Sequence, residues 1–185
     1  MPLECSPRKL FPADGIHGAK VSLLHFVQAD ITDRYLGWLN DLQVVRFSNQ
    51  RFRKHDMASS QSYLASFDGT DNLFLSVRRA DTGVAIGTLT VYVARHHGTA
   101  DVGILIGDTT VWGQGSGQDA WDTILNWLLQ HANVRKITAG TLACNHGMIK
   151  LMERSGMSLE AIRKDQEIME GRRVDVLYYA KFNGG

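Results

Sequence analysis

VWGQGSGQDAW, residues 111–121, sets glycine at every second position, 113, 115 and 117, and then runs straight into an amphipathic pattern. Glycine loses more conformational freedom on folding than any other residue. Three of them directly ahead of a helix imply that something must come close to the backbone. The stretch follows ADVGILIG (residues 100–107), an apolar run of strand length. A loop between strand and helix lets the amides of Gln114, Gly115, Ser116, Gly117 and Gln118 converge at the helix start. Unpaired donors and the helix dipole favour an anion there, most naturally a pyrophosphate. A flexible connection without a ligand is the plainer alternative. Two familiar phosphate loops do not fit. The P-loop ends in Gly-Lys-Ser/Thr, where this chain has Gly117, Gln118 and Asp119. The dinucleotide fingerprint is Gly-x-Gly-x-x-Gly, whereas these glycines are spaced two by two.

Outward from the loop, the pattern alternates between short apolar runs and helical stripes. Residues 21–27 (VSLLHFV) read as a short buried strand, and residues 32–42 as a helix capped by Thr32 or Asp30. A weaker helix covers residues 57–67. Three strands follow, over residues 73–79, 84–93 and 100–107, with turns at Asp81-Thr82-Gly83 and His97-Gly98. After the loop come a helix over residues 118–131, a strand over 136–143 and a helix capped by Asn145 and closed by Gly156. Two last strands, residues 158–169 and 173–182, turn at Glu170-Gly171. Trp121 and Trp127 fall on different faces of one helix, which leaves one of them for solvent or for a subunit contact. The strand–helix–strand piece over residues 100–143 predicts a right-handed parallel crossover. The fold class is α+β: one mixed, mostly antiparallel sheet of six to seven strands with helices on both faces.

The composition fits one soluble domain. The 185 residues are 44% hydrophobic, with 20 basic against 19 acidic side chains and a net charge of +1. A nucleic-acid or membrane-surface binder would show a basic excess, so neither partner is expected. Cys5 and Cys144 match no metal-ligand spacing and no disulfide framework, which suits a reducing cytoplasm and predicts no metal. Residues 1–19 hold all three prolines and no signal-peptide core, and read as an irregular lead-in to a single domain over residues 20–185.

The loop resembles motif A of the GNAT superfamily of acyl-CoA-dependent N-acyltransferases, Gln/Arg-x-x-Gly-x-Gly/Ala. Trp112 holds the Gln/Arg place, followed by Gly113, Gln114, Gly115, Ser116 and Gly117. The tryptophan is similar to the variant of the branch that includes ribosomal-protein N-terminal (RimJ/RimL-like) acetyltransferases. NHGMIKLMERSGM (residues 145–157) resembles that branch's Asn-x-x-Ser/Ala…Lys-x-Gly-Phe/Met segment, and the order of elements matches over residues 21–182.

The resemblance implies an acetyl-CoA-dependent N-acetyltransferase whose co-substrate lies where two parallel strands splay apart. The amides from Trp112, Gly113 and Gln114 through Gly115, Ser116, Gly117 and Gln118 would hold the pyrophosphate. The backbone of Ile104 and Ile106 would pair with the pantetheine arm. A strand amide near Leu105 would polarise the thioester carbonyl, and Asn145 would bond the pantetheine in addition to capping its helix. Related enzymes carry a tyrosine as thiolate donor where this chain has Met152.

An attacking amine is mostly charged at neutral pH, so a proton route is needed. Asp101 is the candidate base, with an ordinary strand-end residue as the alternative; His96 and His97 share a turn nearby. RFSNQRFRK (residues 46–54) would wall the acceptor pocket, and its cations suit an acidic or phosphate-bearing acceptor. An amino-sugar nucleotide is preferred over a protein N-terminal amine or other peptide amine, with small polyamines or antibiotics behind them. A silent CoA-binding regulatory domain is the rival, and a homodimer is left open. A bulky residue at Gly115 is expected to cost tenfold in cofactor affinity with the fold intact.

Overall fold

The computed structural model describes residues 5–184. In chain order its regular elements are α1 (Pro7–Leu10), β1 (Ile16–His17), β2 (Val21–His25), α2 (Asp33–Asn40) and α3 (Met57–Ala65). Then come β3 (Leu73–Arg79), β4 (Ala85–Ala94), β5 (Thr99–Ile106), α4 (Ser116–Gln130) and β6 (Lys136–Leu142). The chain finishes with α5 (His146–Arg154), β7 (Ser158–Met169) and β8 (Arg172–Phe182). The strands form one sheet in the order β1-β2-β3-β4-β5-β6-β8-β7, antiparallel except for β5 with β6. Seven strands are those expected from the sequence; the eighth is the two-residue β1. The caps are also the expected ones. Thr32 accepts from the Tyr35 amide and Asn145 from the Met148 amide, and Gly156 takes φ of 72° after α5.

Two apolar layers cover the sheet. On one face Trp121, Ile124, Leu125 and Leu128 of α4 and Met152 of α5 are fully buried against Leu23, Leu75, Leu89 and Ile137. On the other, Tyr35, Trp38 and Leu39 of α2 pack with Phe26, Phe67 and Phe74. Burying a side chain of this size stabilises by roughly 1.5–3 kcal/mol, so both layers hold their helices firmly.

Residues 5–19 hold a short helix and a two-residue strand where the sequence suggested an irregular lead-in, and residues 1–4 of that lead-in lie outside the described residues. Phe11 is buried and meets Trp127 edge-to-face at 5.1 Å and the His25 ring at 4.8 Å. Its cover changes the tryptophan expectation as well. Trp127 is 6% exposed and Trp121 fully buried, so neither is left for solvent. The helix has two apolar faces because it is covered twice, by the sheet and by the N-terminal segment.

The parallel pair is short. β5 and β6 register only at Thr99 with Lys136, Ala100 with Ile137 and Asp101 with Thr138. Beyond Asp101, β5 stays with β4 and β6 with β8, so the strands part into a V. On the far edge, the long β7–β8 hairpin turns at Glu170 and Gly171, which have φ of 50° and 78°. Its tip reaches back to the segment between α2 and α3, where Arg46 pairs with Glu170 at 2.8 Å and Arg51 with Glu167 at 3.6 Å.

Candidate active site

The mouth of the V is closed by the glycine loop. Gly113 and Gly115 sit at φ of 74° and 86°, and Gly115 is the N-cap of α4. L-residues adopt this left-handed region at a cost, so these two glycines serve the backbone. Gly117 is under no such demand: a Cβ there would make ordinary contacts with Ile106 at 3.4 Å and Leu151 at 3.8 Å. Helix α4 starts at Ser116, two residues earlier than expected, so Ser116, Gly117 and Gln118 form its first turn. Amides in a first turn have no intrahelical acceptor.

The Gln114 amide does not join them. It donates to the Val111 carbonyl at 3.3 Å, while its own carbonyl accepts from Lys20 Nζ at 2.6 Å. Asp119, one residue beyond the first-turn amides, accepts from the amides of Ala19, Lys20 and Val21. The Gln118 side chain reaches Ser155 Oγ at 2.8 Å and ties α4 to α5.

Strand alternation decides which backbone groups of β5 face the gap. Gly107 donates to the Ile86 carbonyl on the β4 side. Leu105, two residues back, shares that direction, and its register partner is Thr88. The amide near Leu105 is therefore spent on β4, which corrects the expected polarising contact. The groups aimed into the gap belong to Ile104 and Ile106. The Ile106 carbonyl is already taken by the Trp112 indole N–H at 2.9 Å. Trp112 thus pins the loop to the end of β5, and the Ile106 amide and both polar groups of Ile104 remain for an added strand.

Asn145 has both ends of its side chain occupied. Its oxygen caps Met148 at 3.2 Å, and its nitrogen donates to Thr141 Oγ1 at 3.1 Å. Met152 is fully buried in the main core. It offers no proton and does not line an open surface.

Asp101 stands at the crotch of the V, at the last register position before the strands part. Its carboxylate accepts from Thr138 Oγ1 at 2.7 Å. It keeps one side open to solvent, yet the surrounding protein desolvates it and raises its pKa; the Thr138 hydroxyl opposes this. His96 and His97 lie in a helical turn just before β5, and no contact draws either of them toward Asp101.

On the face that carries Asp101, α2, α3 and the segment between them enclose a cavity of about 320 Å³. Its floor is Thr88 and Thr90 of β4 with Gly103, Ile104 and Leu105 of β5, so it opens onto the gap. Tyr35 and Tyr63 line its walls. Burial pushes the Tyr35 phenol up to about 12 and raises Tyr63 as well, helped by its hydrogen bond with Tyr92. Both phenols stay protonated near neutral pH. Ser48, Gln50, Arg53 and Lys54 of the basic stretch form the rim, as the sequence suggested.

The family model for the acetyltransferase (GNAT) domain matches residues 20–158, three quarters of the chain. The chain belongs to the GNAT acetyltransferase family. Among solved structures, a GNAT-family acetyltransferase from Bacillus anthracis superposes with a TM-score of 0.78 at 16% identity, covering 91% of this chain and 98% of that one. A spermidine N-acetyltransferase from Vibrio cholerae, in complex with CoA and spermine, gives 0.78 at 16%, covering 88% and 95%. A microcin C7 self-immunity acetyltransferase in complex with acetyl-CoA and AMP gives 0.77 at 17%, covering 94% and 99%. These likenesses are in fold. A search of curated proteins finds no match.

The cavity of this GNAT enzyme also holds residues that the sequence did not single out. His55 lines the cavity with Nε2 buried and without a hydrogen-bond partner, and Ser60 Oγ is in the same state. Asn40, the last residue of α2, clamps the His55 backbone, accepting from its amide at 2.9 Å and donating to its carbonyl at 2.8 Å. Nothing in the local sequence marks His55, because its importance lies in what surrounds it. Among the described residues there is no cluster of three or more His, Cys, Asp or Glu arranged for a metal, and no helix long and apolar enough to cross a membrane.

Proposed function

We propose that this GNAT chain is an acetyl-CoA-dependent N-acetyltransferase acting on a primary amine small enough to enter the cavity beneath α2 and α3. One observation carries the reading: the gap between β5 and β6 opens at one end onto the first-turn amides of α4 and at its side onto the cavity floor. Members of this family use acetyl-CoA. The residues present suit it, since unpaired amides and an unpaired strand edge are what a pyrophosphate and a pantetheine amide chain require.

Acetyl-CoA supplies an acyl group already activated as a thioester. Ser116, Gly117 and Gln118 hold the pyrophosphate by their amides, with Trp112, Gly113, Gln114 and Gly115 shaping the loop. Ile104 and the Ile106 amide align the pantetheine arm. A tetrahedral oxyanion then finds its donor among the gap-facing amides of β5 rather than at Leu105. Asp101, at the crotch, takes a proton from the bound ammonium through water, and the neutral amine so formed attacks the thioester; the raised pKa of Asp101 suits that exchange. With methionine at 152, the thiolate leaves without a dedicated acid.

A cavity of about 320 Å³ suits a small acceptor better than a protein N-terminus, although the Trp-Gly-x-Gly-x-Gly loop resembles the ribosomal-protein branch. The spermidine enzyme among the neighbours shows a small amine on the same fold. The amino-sugar end of a sugar nucleotide remains an acceptor of suitable chemistry. Fidelity to catalysis, as against silent CoA binding, is tested by thiol release. Added to acetyl-CoA and a panel of primary amines, the enzyme is expected to release CoA thiol only when an acceptor is present, and Asp101→Asn to lose turnover with acetyl-CoA affinity unchanged. Full acetyl-CoA binding with no thiol release on any amine would leave only the regulatory reading.

A further inference from the structure

The four cations of residues 46–54 divide into two pairs. Arg46 and Arg51 are spent on the β7–β8 hairpin, bound to Glu170 and Glu167. Arg53 and Lys54 line the acceptor cavity, and neither has a carboxylate within ion-pair distance among the described residues. No aspartate or glutamate lines that cavity. Asp56, the next acid along the chain, faces away into the capping of α3, accepting from the Ser59 amide at 2.8 Å. The cavity also holds two buried polar atoms without partners, His55 Nε2 and Ser60 Oγ. Such atoms destabilise the empty site unless a bound group satisfies them.

We infer that the acceptor is an amine that also carries an anionic group, a phosphate or a carboxylate, held at the rim by Arg53 and Lys54. This deepens the acetyltransferase reading and rests on it. The amine end lies toward Gly103 and the crotch at Asp101, and the anionic end lies toward the rim. His55 Nε2 and Ser60 Oγ bond polar groups between the two ends. A polycation such as spermidine meets only repulsion at the rim.

The test uses matched pairs of probes: O-phosphoethanolamine against ethanolamine, and glucosamine 6-phosphate against glucosamine, with spermidine as the cationic control. Binding to the enzyme saturated with CoA is measured calorimetrically, so an acceptor that does not turn over still counts. Thiol release from acetyl-CoA is followed in parallel. At least one phosphorylated member is expected to bind tenfold or more tighter than its uncharged partner, about 1.4 kcal/mol. The preference should collapse in Arg53→Gln/Lys54→Gln and weaken with added salt, while acetyl-CoA affinity stays as in the parent. Equal binding within each pair, tighter binding of spermidine, a preference that survives the double substitution, or no binding of any anionic probe would overturn the inference. Failure of the acetyltransferase reading looks different: acetyl-CoA would not bind, or it would bind and no amine, anionic or not, would give thiol release.

Discussion

Gly115 and Gly117 stand two residues apart and answer to different constraints. Gly115 needs its left-handed φ, so any side chain there strains the backbone before it meets a ligand. The expectation that a bulky residue at 115 lowers cofactor affinity with the fold untouched therefore needs amending. Gly115→Ala should cost about 1–2 kcal/mol of stability through φ alone. Gly117→Ala should cost nothing or stabilise slightly, since its methyl meets only ordinary contacts at 3.4 and 3.8 Å and alanine is the better helix former. Thermal unfolding of the two variants decides this; equal losses at both positions would refute the division. Residue types and spacing were readable here, and so was the cap at Asn145, because such features depend on neighbours in sequence. The direction of the Leu105 amide was not, since it depends on the register with β4. Nor was the state of His55 Nε2, which depends on a cavity assembled from distant segments.

At the scale of elements, α2 makes its closest approach to the sheet at the end of β5. A Cβ at Gly107 would fall 2.1 Å from the Trp38 ring, so α2 lies against bare backbone there. Arg34 of α2 adds an ion pair with Asp108 at 2.5 Å. Gly107→Ala should push α2 outward at a cost of about 1–3 kcal/mol, and Tyr35 and Leu39 would move with it. The acceptor KM is expected to rise several-fold while acetyl-CoA affinity holds, because the first turn of α4 does not rest on α2. Kinetics and calorimetry on the same variant check the split; a parallel loss of acetyl-CoA binding would contradict it. The helices and strands themselves were legible from their periodicity. The contact between the hairpin tip and residues 46–51 was not, since Arg51 and Glu167 lie far apart in sequence and their charges carry no address.

For the whole molecule, the order of elements was enough to anticipate a mixed sheet with one parallel pair, and the GNAT domain match agrees. The N-terminal segment was the part misjudged. Its prolines suggested irregular chain, whereas Phe11 closes the core over Trp127, a contact made across most of the sequence. The same long-range logic makes the site: a loop, a strand edge and a two-helix wall come together only when the sheet is complete. The claim on which the rest depends is that the gap between β5 and β6 holds acetyl-CoA. Calorimetric titration of the folded protein with acetyl-CoA, with ATP and NAD as controls, tests it most directly. The account predicts one saturable site per chain with a Kd on the order of micromolar, about −8 kcal/mol, for acetyl-CoA and not for the controls. No binding by folded protein, or binding of ATP and NAD as tight as that of acetyl-CoA, would contradict it.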